Sequence, residues 1–228
     1  MLDNPPMLTI HRGHARPDPA LVEAFRGAQT SHLVDAMDGR GALDYRIKPM
    51  DPDNAAFVGP ALTALSYPAD VVGVYGALAE AQPGDVVVVA NDAYAGTAVV
   101  GDIVAGMMRN KGIAAFVTDG LARDRAGIVA TGLPLFAAGI MPASPAANGP
   151  GVVGAPVTLG GQHVRPGDII VGDADGVVVV PLDRAQAVLE RLAAVRAAEA
   201  KAVAAVEGGA TGNDRIAAIV AAARIIGP

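Results

Sequence analysis

Residues 99–128 read VVGDIVAGMMRNKGIAAFVTDGLARDRAGI, and this stretch decides the fold class. Gly101-Asp102 stands ahead of IVAGMMRNK as a helix start, and Gly112 occupies the C′ place where a left-handed residue ends a helix. IAAFVT follows at once as a strand, stops at Asp119-Gly120, and the chain turns through Leu121-Ala122 into Arg123-Asp124. Helix, strand and turn form one unit of an α/β alternation. Twenty residues separate Asp102 from Arg123. A helix followed by a returning strand brings the helix N-terminus and the strand's carboxyl end to one edge of the sheet, so Asp102 and Arg123 are expected to converge there. Carboxyl ends of strands are where α/β proteins place ligands.

Working outward, the same alternation continues on both sides. Asp18 with Pro19, and Thr30 or Ser31 ahead of HLVDAM, mark two early helices, the second stopping at Gly39. FVGPALTAL (57–65) reads as a strand, Asp70 as the cap of helix VVGVYGALAEA, and Val86 to Ala90 as a strand covered on both faces. LPLFAAG and GVVGAPVTL suggest further strands, and GDIIVGDADGVVVVP a hairpin turning at Asp173 to Gly176. After Asp183 the chain is Ala-rich and helical, to about Val206 and again around Arg215 to Arg224, with few large side chains to anchor it, a pattern that docks on a neighbour. One domain, 1–228, is expected, with its sheet core at about 30–181 and C-terminal helices over 183–226; a chain of this length needs no second core.

Composition narrows the chemistry. Cys 0 excludes disulfides, thiolate nucleophiles and sulfur-ligated zinc, and points to a reducing cytoplasm. Any metal must rest on oxygen or imidazole. The net charge of -6 is spread along the chain with no basic cluster, which argues against nucleic acid as a partner. Apolar runs fall short of the roughly 18 residues of a membrane span, and MLDNPPMLTIHRGH has prolines and an aspartate where an export signal would be basic and then apolar.

At the candidate site each residue type has a reason. The first turn after Gly101 offers free N–H groups and partial positive charge to an anion, and glycine permits close approach. Arg123 is a planar, bidentate donor for a carboxylate or enolate oxygen, and Asp124 a hard oxygen ligand suited to Mg²⁺ or Mn²⁺. Together they suit a 2-oxo acid. The competing structural reading makes Asp102 an N-cap and Arg123-Asp124 a solvated pair.

VVGDIVAGMMRNKGIAAFVTDGLARDRAGI, with FVGPALTA, PGDVVVV, LPLFAAGIMP and GDIIVGDADGVVVVP, resembles the RraA-like family (regulator of ribonuclease activity A) and its enzymatic relatives, the 4-hydroxy-4-methyl-2-oxoglutarate / 4-carboxy-4-hydroxy-2-oxoadipate aldolases. The resemblance implies an α/β three-layer β/β/α swivelling-domain-like sandwich with a helical C-terminal tail, assembled as a homotrimer or homohexamer. It implies a metal-dependent lyase cleaving a 4-hydroxy-2-oxo dicarboxylic acid to pyruvate and an oxo acid, with oxaloacetate decarboxylation as a related activity. By carry-over, Asp124 ligates the divalent metal, Arg123 holds substrate oxygens, Asp102 orients a water on that metal, and the backbone of Gly101, Asp102, Ile103 and Val104 receives the carboxylate. Glu199 would reach the metal's water shell in an adjacent subunit. The Asn91 to Gly96 loop departs from the family's Gly-rich one, so Asn91 and Tyr94 either line the pocket or cap the turn.

Other patterns fail on context. Gly149 to Gly154 spells G-x-G-x-x-G, but Pro156 follows and no helix opens. His11 and His14 lack an acidic partner, Asp173 and Asp175 lack the glutamate of a calcium loop, and no serine has a histidine at a telling spacing. Two rival functions remain: an RraA-type regulator acting on ribonuclease E by contact, against which Asp124 counts, and a phosphotransfer domain, for which no histidine is suitably placed.

Overall fold

Val86–Ala90 is apolar at every position because both of its faces are covered: Val86, Val88 and Ala90 belong to one buried cluster, Val87 and Val89 to another. This strand is the centre of a computed structural model that describes residues 5–227. The first half of the chain forms β1 (Leu8–Ile10), α1 (Pro19–Glu23), α2 (Thr30–Ala36), β2 (Lys48–Pro49), β3 (Phe57–Ser66), α3 (Val72–Glu80) and β4 (Val86–Ala90). Then come β5 (Ala98–Val100), α4 (Asp102–Asn110), β6 (Ala115–Thr118), β7 (Leu121–Ala122), α5 (Arg125–Thr131) and β8 (Leu135–Ala137). The rest is β9 (Gly151–Val153), β10 (Val157–Leu159), β11 (Gln162–Val164), β12 (Ile169–Asp173), β13 (Gly176–Val180), α6 (Ala185–Glu207) and α7 (Asp214–Ala221).

Strands β3, β4, β6 and β8 pair in parallel in that order, with β2 antiparallel on the β8 edge. On the other side β9 runs antiparallel to β3, and β1 lies parallel to β9. The length of β3 lets it serve two partners: residues 57–60 pair with β12, and residues 61–65 with β4. The β12–β13 hairpin thereby folds across the parallel sheet, and Ile170, Val177 and Val179 close on Val86, Val88, Val117 and Phe136. The opposite sheet face packs on Val74 and Ala77 of α3, Ala105 and Met108 of α4, and Ile128 of α5. The outer hairpin face, Ile169, Val171, Val178 and Val180, takes Leu33 of α2 and Val188 and Leu192 of α6. The expected β/β/α order of layers is present, and the terminal helix covers the hairpin.

Three local expectations change. Thr30 is the first residue of α2 and not its cap; Asp173, in the hairpin turn, accepts the Thr30 N–H and hydroxyl at 2.8 Å each, so the helix start is capped from another layer. GVVGAPVTL is two strands in two sheets, because Gly154 turns the chain at φ +77 and Pro156 has no N–H for a ladder. Leu121-Ala122, expected as a turn, is a strand paired in parallel with β5. Asp70 does accept the Val72 N–H at 2.8 Å as expected, and also takes N–H groups of Asn148 and Gly149. Past Val195 the α6 helix leaves the core, and residues 196–227 are all exposed. No described helix is long and apolar enough to cross a membrane.

Candidate functional site

The two-stranded ribbon of β5 and β7 brings the site together. Ala98 pairs with Leu121 and Val100 with Ala122, and the Arg123 N–H donates to the Val100 carbonyl at 3.0 Å. Because the strands are parallel, the residues that follow them, Gly101-Asp102 and Arg123-Asp124, emerge side by side. Gly101 caps α4 in extended backbone (φ -136, ψ -176) that any residue adopts. Its lack of a side chain leaves room for two others: a Cβ there would lie 2.9 Å from the Asp124 Oδ2 and 3.2 Å from the Arg123 Cγ and Nε, so that both would have to shift.

Asp102 is the first residue of α4, not its N-cap. Its Oδ1 accepts the Ile103 N–H at 2.7 Å, and its side chain lies against Gly127 of α5, where a Cβ would stand 2.6 Å from the Asp102 Cβ. Arg123 is half-buried; its Nε stands 3.1 Å from the Asp124 Oδ2, and its Nη1 donates to the Ser144 hydroxyl. Asp124 holds a left-handed conformation (φ 58, ψ 42) and precedes α5 without using its side chain as a cap. Aspartate is among the residues that tolerate this region, and a non-glycine residue there marks a place where position outweighs local comfort.

Gly101, Asp102, Ile103, Val104 and Arg123 line one pocket of about 280 Å³, walled further by Val71, Tyr75, Ala98 and Pro145. Of the N–H groups of the first helical turn, which have no acceptor within the helix, that of Ile103 is taken by the Asp102 carboxylate, which leaves those of Asp102 and Val104 at this end. The five residues expected to bind substrate are thus together, with Asp124 across Gly101 from them. Glu199 is not: in its own chain its Oε1 lies 3.9 Å from the His32 Nε2 on the outermost layer. Asn91 is a structural clamp, since its amide donates to the Ser66 and Tyr67 carbonyls and its N–H to the Asp119 carboxylate at 2.7 Å. Burial pushes the Asp119 carboxyl above the usual range, while N–H groups of Asn91 and Ala93 pull it back. Neither Asn91 nor Tyr94 lines the pocket. Ser144, Tyr75, Val71 and Pro145 escaped the sequence reading, for they come from distant loops and helices with no motif of their own.

The donor set decides which cation would fit. Among the described residues no group of three or more histidine, aspartate or glutamate side chains gathers. A site with Asp124 as its one direct carboxylate does not suit an ion that needs a protein cage. It would suit Mg²⁺ or Mn²⁺, ions that keep much of their water in protein sites.

A sheet with helices on one face, a hairpin folded across the other and a pocket where β5 and β7 end defines an α/β protein of the swivelling-sandwich type. The chain belongs to the RraA-like family, whose Aldolase/RraA model matches residues 30–179. It is 40% identical over 170 residues, 75% of this chain and 80% of the other, to a Halalkalibacterium halodurans protein named "Putative 4-hydroxy-4-methyl-2-oxoglutarate aldolase". Among solved structures it is similar to an uncharacterized protein of Pseudomonas syringae, with TM-score 0.75 and 28% identity over 87% of this chain and 97% of that one. It is also similar to Streptomyces coelicolor RraAS2, described as an unusual member of the RNase ES inhibitor RraA family, with TM-score 0.72 and 28% identity over 84% and 100% of the two chains.

Proposed function

We propose that this protein is a divalent-metal-dependent carbon–carbon lyase that cleaves 4-hydroxy-2-oxo acids to pyruvate and a second oxo compound. The relative's name supplies a dicarboxylic reference substrate, 4-hydroxy-4-methyl-2-oxoglutarate, and oxaloacetate decarboxylation would draw on the same enolate. The observation that carries this reading is that Asp102 and Arg123 line one pocket at the start of α4 while Asp124 stands 2.9 Å from where a Gly101 Cβ would be.

Arg123 and the first-turn N–H groups left over by the Asp102–Ile103 hydrogen bond bind the carboxylate and oxo oxygens of the 2-oxo acid and hold C3–C4 in place. As that bond breaks, negative charge grows on the oxo oxygen, and the guanidinium is preorganised to meet it. Asp124 would hold a divalent cation, which when bound adds positive charge at the same oxygen. Asp102 stands where it can hold a water near C3 for protonation of the enolate. A Schiff-base route has no lysine here: Lys111 donates to the Leu78 and Ala79 carbonyls and Lys48 to that of Asp175, and neither lines the pocket, nor does Lys201.

The test follows pyruvate from oxaloacetate and from a panel of 4-hydroxy-2-oxo acids, with Mg²⁺ or EDTA, for the parent and Asp124→Ala. Turnover that EDTA and Asp124→Ala both abolish is expected. Turnover indifferent to chelation, or no pyruvate from any substrate, would overturn the proposal.

A further inference from the structure

We infer that Ser144 is a positioning residue for the candidate site: its hydroxyl holds the Arg123 guanidinium off Asp124, which keeps the arginine free for a 2-oxo acid and the carboxylate free for a cation. The inference rests on the lyase reading above for the ligand it serves. Arg123 and Asp124 are neighbours in the chain and in space, with Nε 3.1 Å from Oδ2. An arginine beside a carboxylate readily settles into a two-pronged pair. Three arginines here do so: Arg12 gives two N–H groups to Glu80, Arg46 two to Asp44 and Arg191 two to Asp38. For Arg123 the hydrogen bond runs from Nη1 to the Ser144 hydroxyl instead. The side chains of Arg123 and Asp124 are 38% and 44% exposed, so little loss of hydration would oppose a closer pairing.

Ser144 can hold the guanidinium because its own place is fixed from both sides. Just before it, the Ala143 carbonyl accepts the Ala98 N–H at 2.9 Å, which ties the loop to β5. Just after it, Ala146 gives its N–H to the Ala69 carbonyl at 2.7 Å and takes that of Val71 at 3.0 Å, which ties the loop to the start of α3. The buried Asp70 carboxylate then accepts the N–H groups of Asn148 and Gly149. Ser144 does not line the pocket, whereas Arg123 does, so its effect passes through the arginine. Of the five N–H groups of a guanidinium, Nε faces Asp124 and one on Nη1 is held by Ser144; three remain on the terminal nitrogens for the oxygens of a ligand. Without the hydroxyl, Nη2 can swing with Nε onto both Asp124 oxygens. That pair would occupy at once the donors meant for the 2-oxo acid and the oxygens meant for the cation.

The experiment measures pyruvate binding by isothermal titration calorimetry in EDTA, where neither metal nor turnover enters, beside pyruvate release from oxaloacetate in Mg²⁺. It compares the parent, Ser144→Ala, Ser144→Thr, Asp124→Ala and the double variant of Ser144→Ala with Asp124→Ala. Ser144→Ala is expected to keep the unliganded Tm, to bind pyruvate about tenfold more weakly and to lose at least as much in kcat/KM. Ser144→Thr, which keeps the hydroxyl, should stay within about threefold of the parent in both. Where Asp124→Ala has left the arginine no carboxylate to close on, Ser144→Ala should change pyruvate affinity by less than about twofold. Undiminished affinity in folded Ser144→Ala, or a loss just as large in the Asp124→Ala background, overturns the inference and leaves the lyase reading standing. The expected pattern of binding in a parent that releases no pyruvate from oxaloacetate or any 4-hydroxy-2-oxo acid upholds the place of Ser144 and overturns the lyase reading.

Discussion

Gly127→Ala should inactivate the protein without altering a single polar group. Gly127 lies inside α5, so helix propensity alone favours alanine by about 1 kcal/mol. Against that, the new methyl would stand 2.6 Å from the Asp102 Cβ and 2.9 Å from its Cγ, where carbon atoms ordinarily keep about 3.5–4.0 Å. Relieving roughly 1 Å of overlap by moving Asp102 or separating α4 from α5 costs about 1–3 kcal/mol. The two effects nearly cancel, leaving a net loss of about 0–2 kcal/mol, or a Tm lower by at most about 8 °C for a chain of this size. Activity responds more steeply, because a catalytic group displaced by about 1 Å loses on the order of 100-fold. Pyruvate release coupled to NADH oxidation, read beside differential scanning fluorimetry, separates the two. A kcat/KM within about threefold of the parent would refute the claim that Asp102 works from the place it occupies. In an Asp102→Ala background the same substitution should lower kcat/KM little further, since the carboxylate it displaces is gone, while the cost in Tm persists because the Cβ at position 102 still meets the new methyl.

Gly101→Ala should also cost about 100-fold in kcat/KM, but by pushing Asp124 and Arg123 aside, and more Mg²⁺ should be needed for half-maximal rate; an unchanged Mg²⁺ requirement would contradict the role given to Asp124. Asp173→Ala removes the acceptor of the Thr30 N–H and hydroxyl and should cost about 2 kcal/mol, a Tm lower by about 4–8 °C, with kcat/KM preserved. Because burial raises the Asp119 carboxyl, the folded state keeps its proton where the unfolded chain has lost it. That contribution to stability is whole below the unfolded value, about pH 4, and is lost as pH rises through the higher folded value. Asp119→Asn, which cannot titrate, should therefore flatten the fall of Tm just above pH 4; a curve parallel to the parent's would show that Asp119 titrates normally.

The sequence by itself determined most of the local elements and where the candidate site should be sought. The apolar run of Val86 to Ala90 demanded cover on both faces, Gly112 ended α4, and the spacing of Asp102 from Arg123 called for the two to converge, as they do in one pocket. These are properties of neighbours along the chain, where side-chain periodicity and backbone preference are written residue by residue. Only the tertiary structure decided the details that depend on which distant segments meet. Leu121-Ala122 becomes a strand because β5 lies beside it, and Asp173 caps α2 across a layer boundary. The pocket joins Val71 and Tyr75, at the start of α3, to Ala98 and Pro145, and Ser144 accepts from Arg123 out of a loop. No short-range pattern encodes such meetings, because they follow from the packing of three apolar clusters against one another.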